Sequence, residues 1–226
     1  MKKSLYFLVA LFAISVLACQ DGKDQAKDLA DFSFYRNIGK RIPTETGYRW
    51  MDVYRTNLKL AGREKPSGYA LSKENLAALS ASVENLVGIV FQHGTDDSGA
   101  HHFVLIPIDE SLQIWTSGKL IIDANTDSPV SPEEARQWAK NYQAGNPGSI
   151  MYHFFGKHVF DELSTISFFE YIQIEPAIND VNFAPQVLLI VNDLTADVSS
   201  GRSQYEEAVV YDMSSACPTH CSLEEN

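Results

Sequence analysis

Cysteine is scarce in this chain of 226 residues, with only Cys19, Cys217 and Cys221 present. A disulfide-dense scaffold is therefore excluded, and the core must come from ordinary burial. Basic charge is also short. Eighteen Lys and Arg stand against 29 Asp and Glu, a net charge of −11, and no segment is strongly basic. Phosphate backbones and anionic headgroups repel such a chain, which argues against a nucleic-acid partner. Common catalytic signatures are missing: there is no G-x-S-x-G elbow, no H-E-x-x-H helix and no glycine-rich phosphate loop. Spacing alone does not exclude a dispersed Ser-His-Asp triad, because its members can lie far apart in sequence. A bilayer-spanning run is absent too. The apolar stretch from Leu5 to Ala18 has fourteen residues, where a helical span needs roughly 20.

That stretch follows Lys2 and Lys3 and ends in Val16-Leu17-Ala18-Cys19, so it reads as a signal-peptide core over residues 1–18. The aliphatic Val16 and the small Ala18 ahead of Cys19 resemble the lipobox of bacterial lipoproteins, with Leu17 a less usual occupant. The resemblance covers residues 1–19 only. It implies cleavage before Cys19, a thioether-linked lipid on its sulfur and acylation (palmitate-type) of the new amino terminus, hence a membrane anchor. Gln20 stands where an inner-membrane retention signal has Asp, so the expected location is extracytoplasmic, at the outer membrane of a Gram-negative host. Loss of Lys2 and Lys3 leaves 16 basic against 29 acidic residues, a charge of −13. Gln20 to Asp31 is polar, and residues 19–36 read as a tether.

The rest is 45% hydrophobic and 11% aromatic by whole-chain composition, which is globular, and it repeats itself. Trp50 and Tyr54 recur as Trp138 and Tyr142. Tyr69–Leu79 aligns with His153–Leu163, Phe103–Ile108 with Val187–Val191, Ser117-Gly118-Lys119 with Ser200-Gly201-Arg202, and Ile122-Asp123 with Tyr211-Asp212. Ser128-Pro129 aligns with Cys217-Pro218. The order is kept while the offset drifts between 83 and 89. The expected fold is α+β: two helix-helix-strand-strand-strand units, residues 37–130 and 131–222, sharing one core around antiparallel sheet with a pseudo-twofold axis. Ser131-Pro132-Glu133-Glu134 opens a helix with a cap and a first-turn proline. Turn residues at Thr95–Gly99 and Asn179-Asp180 predict hairpins. Pro107, inside an apolar run, predicts a bulge or an edge.

Three of the six histidines gather at the first hairpin. His93 and His101 could face each other there, and with Asp96 and Asp97 they form a candidate Zn or Cu set. His102 should point to the opposite face of its strand, and the second half has no histidine at the matching turn. The bland alternative is a solvated hairpin tip. Cys217 and Cys221 are the thiols left after Cys19. In an oxidising compartment they read first as a disulfide, and otherwise as a metal or redox pair with His220, or as free thiols. Trp50, Tyr54, Trp138 and Tyr142 either pack the core or line a ligand groove between the halves. The paired acids Glu133-Glu134, Glu206-Glu207 and Glu224-Glu225 read as a helix start, a strand edge and a tail. No resident cofactor is expected beyond that candidate metal. The chain reads as a lipoprotein that binds or assembles with a protein or small molecule. A hydrolase or a metal or redox protein is the alternative, and catalysis is disfavoured.

Overall fold

A computed structural model describes residues 32–62, 68–166, 170–191 and 208–212. Cys19, Cys217, Cys221, His220, Ser200-Gly201-Arg202, Glu206-Glu207 and Glu224-Glu225 lie outside them. After a one-turn helix α1 (Ser33–Arg36), the chain runs β1 (Lys40–Ile42), α2 (Thr44–Leu60), β2 (Tyr69–Ser72), α3 (Lys73–Ala81), β3 (Gly88–Thr95), β4 (His101–Ile108) and β5 (Ile122–Asp123). It continues with β6 (Ser128–Pro129), α4 (Pro132–Gly145), β7 (Tyr152–Gly156), α5 (Lys157–Thr165), β8 (Tyr171–Ile178), β9 (Pro185–Val191) and β10 (Val209–Asp212). The second series repeats the first, element for element. None of the described helices is long and apolar enough to cross a membrane.

Among the described residues, ten strands form two antiparallel sheets, ordered β1-β10-β9-β8-β2 and β6-β5-β4-β3-β7. Exchanging the two series converts one order into the other. Each sheet is a three-stranded meander from one series, flanked by the first two strands of the other. The registers agree as well. In one ladder Ser72 pairs with Tyr171 and Tyr69 with Ile174; in the other Gly156 pairs with Gly88 and His153 with Phe91. Beyond the strand ends, Lys73 N–H donates to Glu170 O at 2.9 Å and Lys157 N–H to Val87 O at 2.8 Å. Edge strands expose unpaired backbone groups, and here each meander has its edges covered by the other half of the chain.

The fold is thus α+β with two like units, as the pattern implies, and each unit carries one strand more before each of its helices. Ser128-Pro129 pairs with Ile122-Asp123 as Lys40–Ile42 pairs with Val210–Asp212. The ladders therefore match Ser128 to Lys40, at the head of the second series, and not to Cys217 at the foot. Strand β2 was hidden because it has no loop after it. Ser72 ends the strand and also caps α3, its hydroxyl accepting from Asn75 N at 3.2 Å. Pro107 sits in regular register opposite Ile89 without a bulge. Strand β5 pairs with β4 only at Val104 and Leu105, so the β5 side is a local edge at Pro107, where a missing N–H costs nothing.

Helix α2 lies on the β8 and β10 side of its sheet, and α4 lies on β3 and β4. Ser131 Oγ accepts from Glu134 N at 3.2 Å with Pro132 in the first turn, the start expected for α4. Small residues admit both helices. Ala135 is fully buried, and a Cβ on its counterpart Gly47 would stand 2.8 Å from Val210 Cγ1. Trp50, Met51, Leu188, Ile190 and Val210 form one apolar cluster under α2.

Gly88 shows how tightly the exchanged strand β7 fits its meander. A Cβ on Gly88 would strike the Phe155 carbonyl oxygen and the Phe154 ring. Gly88→Ala is expected to lower unfolding free energy by about 2–3 kcal/mol, the scale of an overpacked core. Urea denaturation checks it, and a loss below about 0.5 kcal/mol would contradict this packing.

Candidate functional site

Between the two sheets, where the two series face each other, lies a cavity of about 580 Å³, within the range of small-molecule sites. Its lining is built from equivalent positions. Tyr54 and Tyr142 come from the second halves of α2 and α4. Tyr69 on β2 answers His153 on β7. His93 answers Pro176, His101 answers Pro185, and Phe103 answers Val187, as the two hairpin registers dictate. One wall therefore carries imidazoles on the three adjacent strands β7, β3 and β4. The facing wall carries prolines and aliphatic groups, with the Tyr69 phenol crossing from its edge. No Asp, Glu, Lys or Arg lines the cavity among the described residues.

A hydrogen-bonded chain runs along the polar wall. Tyr69 Oη lies 2.6 Å from His101 Nδ1, and His101 Nε2 lies 2.8 Å from His93 Nδ1. One proton sits between each pair. The phenol is the better donor and imidazole the better acceptor, which sets the direction: Tyr69 O–H donates to His101, and His101 Nε2–H donates to His93. Burial raises the phenol of Tyr69, with the neighbouring Tyr54 adding to it. Burial pushes His101 down to about 4, with His102 adding to the effect. Burial also pushes His153 down to about 4. His93 falls well below the usual imidazole value through burial, then through His153 and His101. At neutral pH the row is uncharged. Tyr142 stacks on His93 with centroids 4.9 Å apart and planes at 14°, and His153 stands 5.3 Å from His93. His153 Nδ1 has no hydrogen-bond partner among the described residues.

The residues singled out in sequence divide accordingly. His93 and His101 do meet across the hairpin, but as members of this chain. Asp96 turns away to cap the hairpin. Its Oδ1 accepts from Ser98 N, Ser98 Oγ and Ala100 N at 2.8–2.9 Å, and these bonds, the Ser98 hydroxyl first, hold the carboxyl down at about 2. Asp97 faces Asn141 at 3.4 Å. Of the candidate metal set, His93 and His101 are bonded to each other, Asp96 is bonded within the turn and Asp97 faces α4. Among the described residues no three His, Cys, Asp or Glu side chains converge as a ligand set. His102 does point to the other face, where its Nδ1 meets Asp123 Oδ1 at 3.0 Å and Trp138 stacks on it at 4.2 Å.

The candidate groove residues Trp50, Tyr54, Trp138 and Tyr142 fall in two places. The tyrosines line the cavity. Trp50 is buried one turn earlier, its Nε1–H donating to Asp180 Oδ1 at 2.7 Å, and Trp138 covers His102. Sequence reasoning passed over Tyr69 and His153, although the repeat alignment sets one upon the other. With their strands unrecognised, nothing marked the positions as facing a shared space.

The buried neutral imidazoles make stability depend on pH. His101 and His153 titrate near 4 in the folded chain and near 6.5 when unfolded, so the unfolded state binds more protons between those values. Stability is then complete above about pH 6.5 and is lost as pH falls towards 4, on the order of 3 kcal/mol for each ring. Urea unfolding from pH 7 to 4.5 reads the loss, and His153→Gln should lose visibly less. An equal loss in both proteins would contradict a neutral, buried His153.

Comparison with protein-family models, with curated proteins and with solved structures finds no match to this chain.

Proposed function

We propose that this is a lipid-anchored extracytoplasmic lipoprotein that binds a small molecule in the cavity between its two halves. The observation that carries the reading is the lining itself: aromatic rings, prolines and uncharged imidazoles around about 580 Å³, with no charged side chain among the described residues. Apolar walls with a few placed polar groups are the make-up of ligand sites. Catalysis has less support. The oriented base of the described structure, His102 held by Asp123, lies on the far face under Trp138, away from the cavity. The lipobox resemblance at Cys19 supplies the anchor, which keeps a binding domain at the outer membrane.

Cys19→Ser is expected to move the protein from the membrane to the soluble fraction. On that soluble protein the uncharged dye Nile red should bind one to one. Pro176→Trp, which fills the cavity from its apolar wall, should weaken dye binding at least tenfold. Continued membrane association would remove the anchor, and equal dye binding by both proteins would remove the cavity.

A further inference from the structure

The cavity gathers bases and supplies no acid. His93, His101 and His153 stand side by side on one wall. Among the described residues α2 contributes Tyr54 and Leu58 to the lining, α4 contributes Tyr142, which packs on His93 and His101, and β2 contributes Tyr69. Outside the lining, Asp123 on β5 and Glu175 on β8 act on Tyr69, and the His102 ring acts on His101. A protonated ring in this row would have no counter-charge in the lining among the described residues.

Imidazoles accept two kinds of acid. A Lewis acid needs converging free nitrogens, and His101 has neither nitrogen free, while no third ligand converges among the described residues. A proton needs one lone pair. His93 and His101 are tied to each other and to Tyr69, whereas the buried His153 Nδ1 has no partner among the described residues. Resting on the reading of the cavity as a small-molecule site, we propose that its ligand is a compact weak acid with an apolar body, held as the anion against a protonated His153. The carboxylic acid is the simplest such group. On binding, its O–H bond breaks and an N–H bond forms on the imidazole, so a neutral acid enters without change of net charge. An acid arriving as its anion takes the same proton from water. The lining phenols and imidazole N–H groups solvate the carboxylate, and Pro176, Pro185, Phe103 and Val187 cover the apolar body. The positions that make the second wall apolar are those where the first wall has His93, His101 and Phe103, which gives the duplicated site a polar and an apolar end.

The full lipidated chain in zwitterionic nanodiscs, with empty nanodiscs as blank, tests this by calorimetry with 2-naphthoate and its uncharged isostere 2-naphthamide. Naphthoate affinity should rise about tenfold for each pH unit lowered from 7.5 to 5.5, with uptake of one proton. The amide should bind at least tenfold more weakly at pH 5.5 and show no pH slope. Nitrogen-15 resonances of the unaltered protein should show one imidazole becoming imidazolium on naphthoate binding, and His153→Gln should flatten the slope. The resonances decide the matter even where that variant fails to fold. Equal, pH-independent binding of the amide would overturn the proposal and leave the cavity reading intact. Stoichiometric Zn²⁺ binding at the histidines, released on acidification, would overturn it in favour of a metal site. So would failure of naphthoate to bind at any pH while the uncharged dye still binds one to one. Loss of dye binding as well would remove the cavity reading itself.

Discussion

Everything else in this fold depends on the exchange of strands between its two halves. The meander β3-β4-β5 has β7 and β6 on its edges, and β8-β9-β10 has β2 and β1. Neither half can satisfy its own sheet, since each meander would present two open edges and an uncovered face. The halves therefore fold together or not at all. Gly88, where exchanged strand meets meander, leaves no room for a methyl group. That closeness holds the register, and the register decides which side chains face the space between the sheets.

The cavity follows from the same constraint. Two copies of one surface meet about an approximate axis, and what lines the space between them comes in pairs. Because a duplicated chain need not keep both copies alike, the pairs have diverged: imidazoles on one wall, prolines on the other, a phenol at one edge and His153 at the opposite one. Burying uncharged imidazoles costs desolvation unless their nitrogens are bonded. His93 and His101 meet that condition through each other and Tyr69. His153 does not, and a buried polar atom left unpaired costs about 1–3 kcal/mol. A strained arrangement of this kind, placed in a cavity and not in the packed core, is where binding chemistry is to be sought.

Much of the fold was legible because it is local. Ser131 and Pro132 announce α4, turn residues announce both hairpins, and the recurrence of Trp50 and Tyr54 as Trp138 and Tyr142 announces the repeat. What stayed hidden is long-range or abrupt. Strand β2 runs into the helix capped by its own last residue, Ser72, so no turn marks it. Strand β1 spans three residues, two of them charged, and shows no alternation worth reading. The exchange of strands leaves no trace in either half taken alone. The site was legible where it sits within one hairpin, at His93 and His101, and on the two helical stripes, at Tyr54 and Tyr142. Tyr69 and His153 reach it from other strands, and the pull of the turn on Asp96 could be seen only once Ser98 and Ala100 were in place. Trp50 and Tyr54 share a helical stripe, yet one turn of helix separates the core from the cavity.

The most direct test of a ligand site built by duplication is to look for the ligand. Native mass spectrometry of the protein purified from its native source, compared with Pro176→Trp prepared in the same way, reads it without a chosen probe. The account expects one small molecule per chain on the unaltered protein, lost on unfolding and absent from the filled variant. The same bare mass for both proteins, or the same adduct on both, would contradict it.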